Sequence, residues 1–240
     1  MILKEINLTN CKIGDEGMKH LCEAFKESQK LEKLILKKNA IGDEGIVTLC
    51  EFLKQDPMIK IVELNNNQIG DKGLECFSEI LKLNFQLERI VFSWNKITDK
   101  GTKKLCEILK ENPQIREISL SHNKINMNGV KNVCEALKLN KYLKTIEISE
   151  TNGGEECLNY LCEMLKINSS LEKLSFGANS LGDSGCQILF SSISPSLKEI
   201  SLFSNEIGDE GLNYITEVLE KSNSLTKLDL GNNNFSEKGL

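Results

Sequence analysis

The sequence predicts an α/β solenoid, with a parallel sheet on one side and helices on the other. Three observations lead there. First, apolar residues recur in one frame: Leu31, Leu34 and Leu36, followed by Asn39 and Ile41. The frame returns at Ile59/Val62/Leu64/Asn67/Ile69, at Leu87/Ile90/Phe92/Asn95/Ile97 and at Ile115/Ile118/Leu120/Asn123/Ile125. Second, aligning on the asparagine gives Cys11, Asn39, Asn67, Asn95, Asn123, Thr151, Asn179, Asn205 and Asn233. The step is 28 residues, except for 26 between Asn179 and Asn205, which makes about nine repeats with the last cut short at Leu240. Third, each repeat switches midway from alternation to helical spacing.

Within a repeat, the segment around Leu34-Ile35-Leu36 alternates and is predicted as a short strand, Leu34 and Leu36 inward and Ile35 on the opposite face. Asn39 follows. Its amide both donates and accepts, so it is suited to satisfy loop backbone that water cannot reach, stacking as a ladder from repeat to repeat. Gly42-Asp43-Glu44-Gly45 comes next. Asp43 is predicted to cap the helix it begins, Glu44 to complement the helix dipole, and Gly45 to allow close packing on the neighbouring helix. From Ile46, the apolar residues Leu49, Cys50 and Leu53 form one helical face. Returns such as Lys54 to Met58 lead to the next strand, and Pro57 and Pro113 fall in them, where no helical hydrogen bond is lost. Strands about 4.8 Å apart joined to helices about 10 Å thick force the stack to bend with the strands inside. The whole of 1–240 reads as one domain, because each repeat's apolar face is covered only by the next.

Two places depart from the pattern. In repeat six Thr151 replaces the asparagine, Gly153 the apolar residue after it and Cys157 the glycine, which predicts an irregular turn, either drift in a tolerant loop or a binding feature. The return Ser191 to Ser196 is two residues short and should shorten or tighten the end of the helix before it and shift the curvature slightly. At the ends, Met1 opens on a strand and Leu240 stops as a ninth helix begins, without polar caps. The expectation is a monomer, or a part of a larger chain.

Composition narrows the function classes. Hydrophobic residues make up 40 % and aromatics 5 %, so aliphatic side chains build the core. The net charge of −5 comes from 35 acids interleaved with 30 bases, with no basic track, so nucleic acid is not an expected partner. No apolar run approaches a membrane span of about 18 residues. The N-terminus MILKEINLTN has no signal-peptide pattern, and a cytoplasmic protein is expected. Of nine cysteines, Cys22, Cys50, Cys106, Cys134 and Cys162 share one helical column, with Ser78 in the same slot. They read as reduced structural thiols, without the converging spacing of a metal site.

The signature L-x-x-L-x-L-x-x-N/C-x-L, the 28-residue period and the recurring N-x-I-G-D-E-G block resemble the ribonuclease-inhibitor-like class of leucine-rich repeats, over essentially the whole chain. That resemblance implies a leucine-rich repeat solenoid, a horseshoe or arc with a concave parallel β-sheet and convex α-helices. It also implies a surface that holds another protein. Relatives of the class include regulators of small GTPases similar to Ran GTPase-activating protein, the sensor parts of NOD-like receptors and axonemal proteins. These remain alternatives, since fold alone does not choose a function.

Chemistry has little to work with. His20 and His122 lie too far apart along the repeats to meet, and no G-x-S-x-G, P-loop or H-E-x-x-H is present. Gly153-Gly154 is a lone pair, and the Asp-Glu pairs recur in register as helix starts. The expectation is no enzyme, no cofactor and no metal. A GTPase activator would place an arginine or asparagine in a loop against the GTPase, but Arg89 and Arg116, the only arginines, both stand on or beside strands. The candidate protein-binding surface is instead the outward strand face: Ile35, Ile61, Arg89, Val91, Trp94 and His122, beside the acids Glu63, Glu117, Glu147 and Glu150, which favour a basic partner. Trp94, the only tryptophan, is either a binding anchor or lies flat over the asparagine loop.

Overall fold

The computed structural model describes residues 3–26, 30–55, 58–83, 86–151, 156–221 and 224–237. Nine strands, each of three residues, alternate with eight helices among these residues. The strands are β1 (Glu5–Asn7), β2 (Lys33–Ile35), β3 (Ile61–Glu63), β4 (Arg89–Val91), β5 (Glu117–Ser119), β6 (Thr145–Glu147), β7 (Lys173–Ser175), β8 (Glu199–Ser201) and β9 (Lys227–Asp229). The helices are α1 (Asp15–Phe25), α2 (Asp43–Gln55), α3 (Asp71–Ile80), α4 (Asp99–Leu109), α5 (Met127–Leu139), α6 (Glu156–Ile167), α7 (Gly182–Phe190) and α8 (Asp209–Lys221). The sheet is wholly parallel, and its strands lie in chain order from β1 to β9. Equivalent residues pair, Glu5 with Lys33 and Arg89 with Glu117, so each column of the sequence becomes a row across the sheet.

The core lies between sheet and helices. The central residue of each inner strand (Leu34, Val62, Ile90, Ile118, Ile146, Leu174, Ile200) is buried, as are Leu49, Cys50 and Leu53 of α2. Phe77 and Phe92 meet edge to face at 5.1 Å. All nine cysteines are free thiols; Cys50, Cys106, Cys134 and Cys162 of the predicted column are buried and Cys22 is half-buried. Burial pushes the Cys106 thiol up to about 12.

The asparagine column works as a ladder. Asn95 donates from Nδ2 to Leu64 O at 3.0 Å and Phe92 O at 2.9 Å, while its Oδ1 accepts from Ile69 N at 3.0 Å. One side chain thus serves its own loop and that of the preceding repeat. The residue just before this column is left-handed in every repeat: Asn10, Lys38, Asn66, Trp94, His122, Glu150, Ala178, Ser204 and Asn232 have φ between 50° and 60°. The coil therefore imposes a costly conformation on whichever residue stands there.

Asp43 does not cap its own helix. Its Oδ1 accepts from Gly70 N at 2.7 Å and Gly73 N at 3.0 Å, at the start of α3. Asp15 does the same for Gly42 and Gly45 of the next repeat, Asp71 for Thr98 and Gly101, and Asp183 for Gly208 and Gly211. The N-cap residues Gly14 and Gly70 have no side chain of their own to cap with. The reason is geometric: the carboxylate leaves its helix sideways, toward the neighbour's free N–H groups. It also explains the glycine, since a Cβ on Gly45 would lie 2.6 Å from Asp15 Oδ1.

The short return after α7 has the expected effect on its helix. That helix has nine residues, against 10 to 13 in the others. Pro113 sits in its return between α4 and β5, whereas Pro57, Gly153 and Gly154, and with them the predicted irregular turn of repeat six, lie outside the described residues. A second asparagine row, at Asn112, Asn140 and Asn168, holds the returns. Asn140 donates to Leu109 O and Asn112 O and accepts from Tyr142 N and Leu143 N.

Candidate protein-binding face

The predicted contact residues come together on the strand face because the register is uniform, but they are not equally open. Trp94 is 54 % exposed, and its ring stacks on His122 of the next repeat at 3.9 Å and 14°. His122 Nδ1 in turn meets a carboxylate oxygen of Glu150. Trp94, His122 and Glu150 are consecutive members of the left-handed row, so three repeats set them side by side. The indole rests on an imidazole and keeps much of its surface open.

Ile35, Glu63 and Val91 correct the expectation of a solvated strand face, with exposures of 6, 3 and 8 %. On the inside of a curved sheet, side chains from adjacent strands converge and cover one another. Ile61, Arg89, Glu117 and Glu147, on β3 to β6, are half-buried.

The acids do not form an open anionic patch either. Glu63 is gripped by Arg89 on one oxygen and by Lys37 at 2.5 Å on the other. Burial opposes its charge, yet Lys37 and Arg89 outweigh burial and hold the carboxyl below its ordinary value. Arg89 also reaches Glu117 at 2.8 Å, and Lys173 reaches Glu147 at 3.4 Å. Arg89 is therefore committed to two carboxylates. Arg116 donates to Pro113 O and lies 6.0 Å from the Tyr142 ring centre. Neither arginine projects from a loop after the asparagine. His20 is exposed on α1, four strands from His122, beside Glu16.

Beside Trp94 lies a bay of about 350 Å³, whose lining includes Lys37, Asn65, Ser93, His122, Glu147 and Ser149. Lys37 and Asn65 stand two residues after their strands at the 28-residue step, but nothing in their residue types singled them out. Their signal is position, one repeat or two before Ser93 in the row that adjoins that of Trp94. Hydroxyls tie the floor together: Ser93 bonds Ser119, and Ser149 bonds Ser175 at 2.9 Å. Among the described residues no group of three or more His, Cys, Asp or Glu is arranged to hold a metal ion, and no helix is long and apolar enough to cross a membrane.

The comparisons with known proteins agree with this architecture. A family model described as Leucine Rich repeat matches residues 1–22, 27–50, 55–78, 84–106, 194–215 and 221–240. Among solved structures, a protein from Bacteroides fragilis is similar at a TM-score of 0.61 and 19 % identity, covering 98 % of this chain and 67 % of that one. The actin-binding site 2 of leiomodin-1 is similar at a TM-score of 0.48 and 24 % identity, covering 55 % of this chain and 78 % of that one. No curated protein sequence matches the chain.

Proposed function

The chain belongs to the leucine-rich repeat family, and from that premise we propose that it is a non-enzymatic interaction scaffold whose concave face holds a protein ligand, with Trp94 as the anchor. One observation carries this reading. A bulky aromatic is kept in a left-handed conformation that costs about 1–2 kcal/mol in an L residue, and it is half-exposed beside a bay. A tryptophan is the residue type most favoured at binding hot spots. The fold does not need it there, because asparagine serves in the same row at Asn10, Asn66 and Asn232.

Trp94→Asn separates the two roles. The variant is expected to match or exceed the wild type in thermal stability while binding of the protein ligand weakens by about 2 kcal/mol, the scale of a hot spot. Affinity pull-down followed by titration of the recovered protein measures both arms. Undiminished recovery of every partner by Trp94→Asn would sink the assignment.

A further inference from the structure

Resting on that reading, we propose that the bay beside Trp94 receives an arginine side chain of the protein ligand, its guanidinium lying between the indole and the Glu147 carboxylate. Three features of the bay converge on a planar cation. The first is charge. Around the bay the carboxylates Glu63, Glu117 and Glu147 pair with Lys37, Arg89 and Lys173, and Glu150 meets the His122 imidazole. Lys37 lines the bay, but its ammonium is spent on buried Glu63 at 2.5 Å. Glu147 also lines it, and its one cation among the described residues, Lys173, stands off at 3.4 Å. Glu147 is therefore the carboxylate that the lining presents to an incoming cation.

The second feature is an unused acceptor. Asn65 Oδ1 is buried within the lining and has no hydrogen-bond partner among the described residues. A buried acceptor without a donor is costly, so a ligand that brings an N–H group is favoured over one that brings only an oxygen. The third is the indole. Its flat face attracts a cation and stacks with a guanidinium more readily than with an ammonium. Arginine alone among side chains meets all three demands, because its five donors lie in one plane. A volume of about 350 Å³ also accommodates its length.

The test uses the whole chain and an array of random 12-residue peptides, with binders then titrated by the fluorescence of the single tryptophan. Peptides that bind wild type but not Trp94→Asn are expected to be rich in arginine. Replacing that arginine by citrulline, which keeps the shape and removes the charge, is expected to weaken binding on the order of tenfold. In Glu147→Gln the citrulline penalty is expected to shrink. Trp94-dependent peptides that tolerate citrulline, or that are acidic, would overturn the arginine subsite and leave the concave-face reading intact. The absence of any Trp94-dependent peptide would remove both. A citrulline penalty unchanged in Glu147→Gln and in Asn65→Ala would overturn the geometry assigned to the bay.

Discussion

Repeats one to four and the junction of repeats five and six are written in the same frame but held together differently. In the first region two side-chain rows run unbroken. The asparagines Asn39, Asn67, Asn95 and Asn123 tie each loop to the preceding one. The aspartates Asp15, Asp43 and Asp71 each cap the start of the next helix. At the junction both rows change residue. Met127 stands where the aspartate would be, and Thr151 replaces the asparagine. Among the described residues Thr151 donates to Asn179 Oδ1, at 2.8 Å from its hydroxyl and 2.9 Å from its N–H. The replacements are mutually consistent. Without a carboxylate at position 127 the next helix no longer needs a glycine, and Cys157 occupies that slot, buried. A solenoid is a sum of neighbour interfaces, so one altered interface lowers local rather than global stability.

The largest effect should come from the ladder itself. Asn95→Ala leaves the buried Ile69 N–H without its acceptor and takes from Leu64 O and Phe92 O one of the two asparagine amides that each accepts from, and is expected to cost about 3 kcal/mol. Thr151→Ala removes one hydroxyl whose acceptor keeps the Thr151 N–H, and is expected to cost about 1 kcal/mol. Urea unfolding of the two variants measures the difference. Equal losses would mean that the junction is tied as firmly as the repeats before it.

A smaller effect follows from rebuilding the aspartate row. Met127→Asp alone brings a carboxylate against the Cβ of Cys157, and is expected to destabilise, the more so because Met127 packs partly into the core. Combined with Cys157→Gly, the same carboxylate can accept from the N–H at position 157. A favourable coupling of about 1–2 kcal/mol is expected between the two changes, the scale of a helix N-cap. The double-mutant cycle in urea reads it directly. Additive single effects would show that Met127 and Cys157 are unrelated departures.

These contrasts bear on what the sequence discloses. The columns were legible because burial selects residue type at a fixed period, so Leu34, Asn39, Gly45 and Cys50 announced strand, turn, helix start and helix face. What a column hides is the partner. Because the aspartate and the glycine two residues on recur together in consecutive repeats, a bond from Asp15 within its own repeat and one to Gly42 and Gly45 in the next leave the same trace, and only geometry separates them. The second asparagine row, Asn112, Asn140 and Asn168, was visible at the 28-residue step, but it lay in returns read merely as connections. The covering of Ile35, Glu63 and Val91 depends on curvature, which periodicity does not encode. Trp94 was marked by rarity and slot, whereas its partner His122 became meaningful only once the left-handed row placed the rings face to face.

The smallest effect distinguishes two acids of the concave face, Glu63 in the continuous region and Glu147 at the junction. Glu63 is buried and doubly paired, with its folded carboxyl held below the ordinary value by Lys37 and Arg89 against the opposing effect of burial. A depressed folded value means that the unfolded chain binds the proton first as pH falls. The contribution is thus complete above the unfolded glutamate value of about 4.3 and fades below it as the folded value is approached. Glu63→Gln is therefore expected to be less stable than wild type near neutrality, with the gap narrowing through the acid limb. Glu147→Gln removes a half-exposed pair whose closest approach is 3.4 Å, and is expected to change stability little at neutral pH. Thermal melts of the three proteins between neutrality and strong acid measure both gaps. A Glu63→Gln gap that stays constant with pH would mean that the side chain acts by packing, and that charge does not separate the two halves of the face.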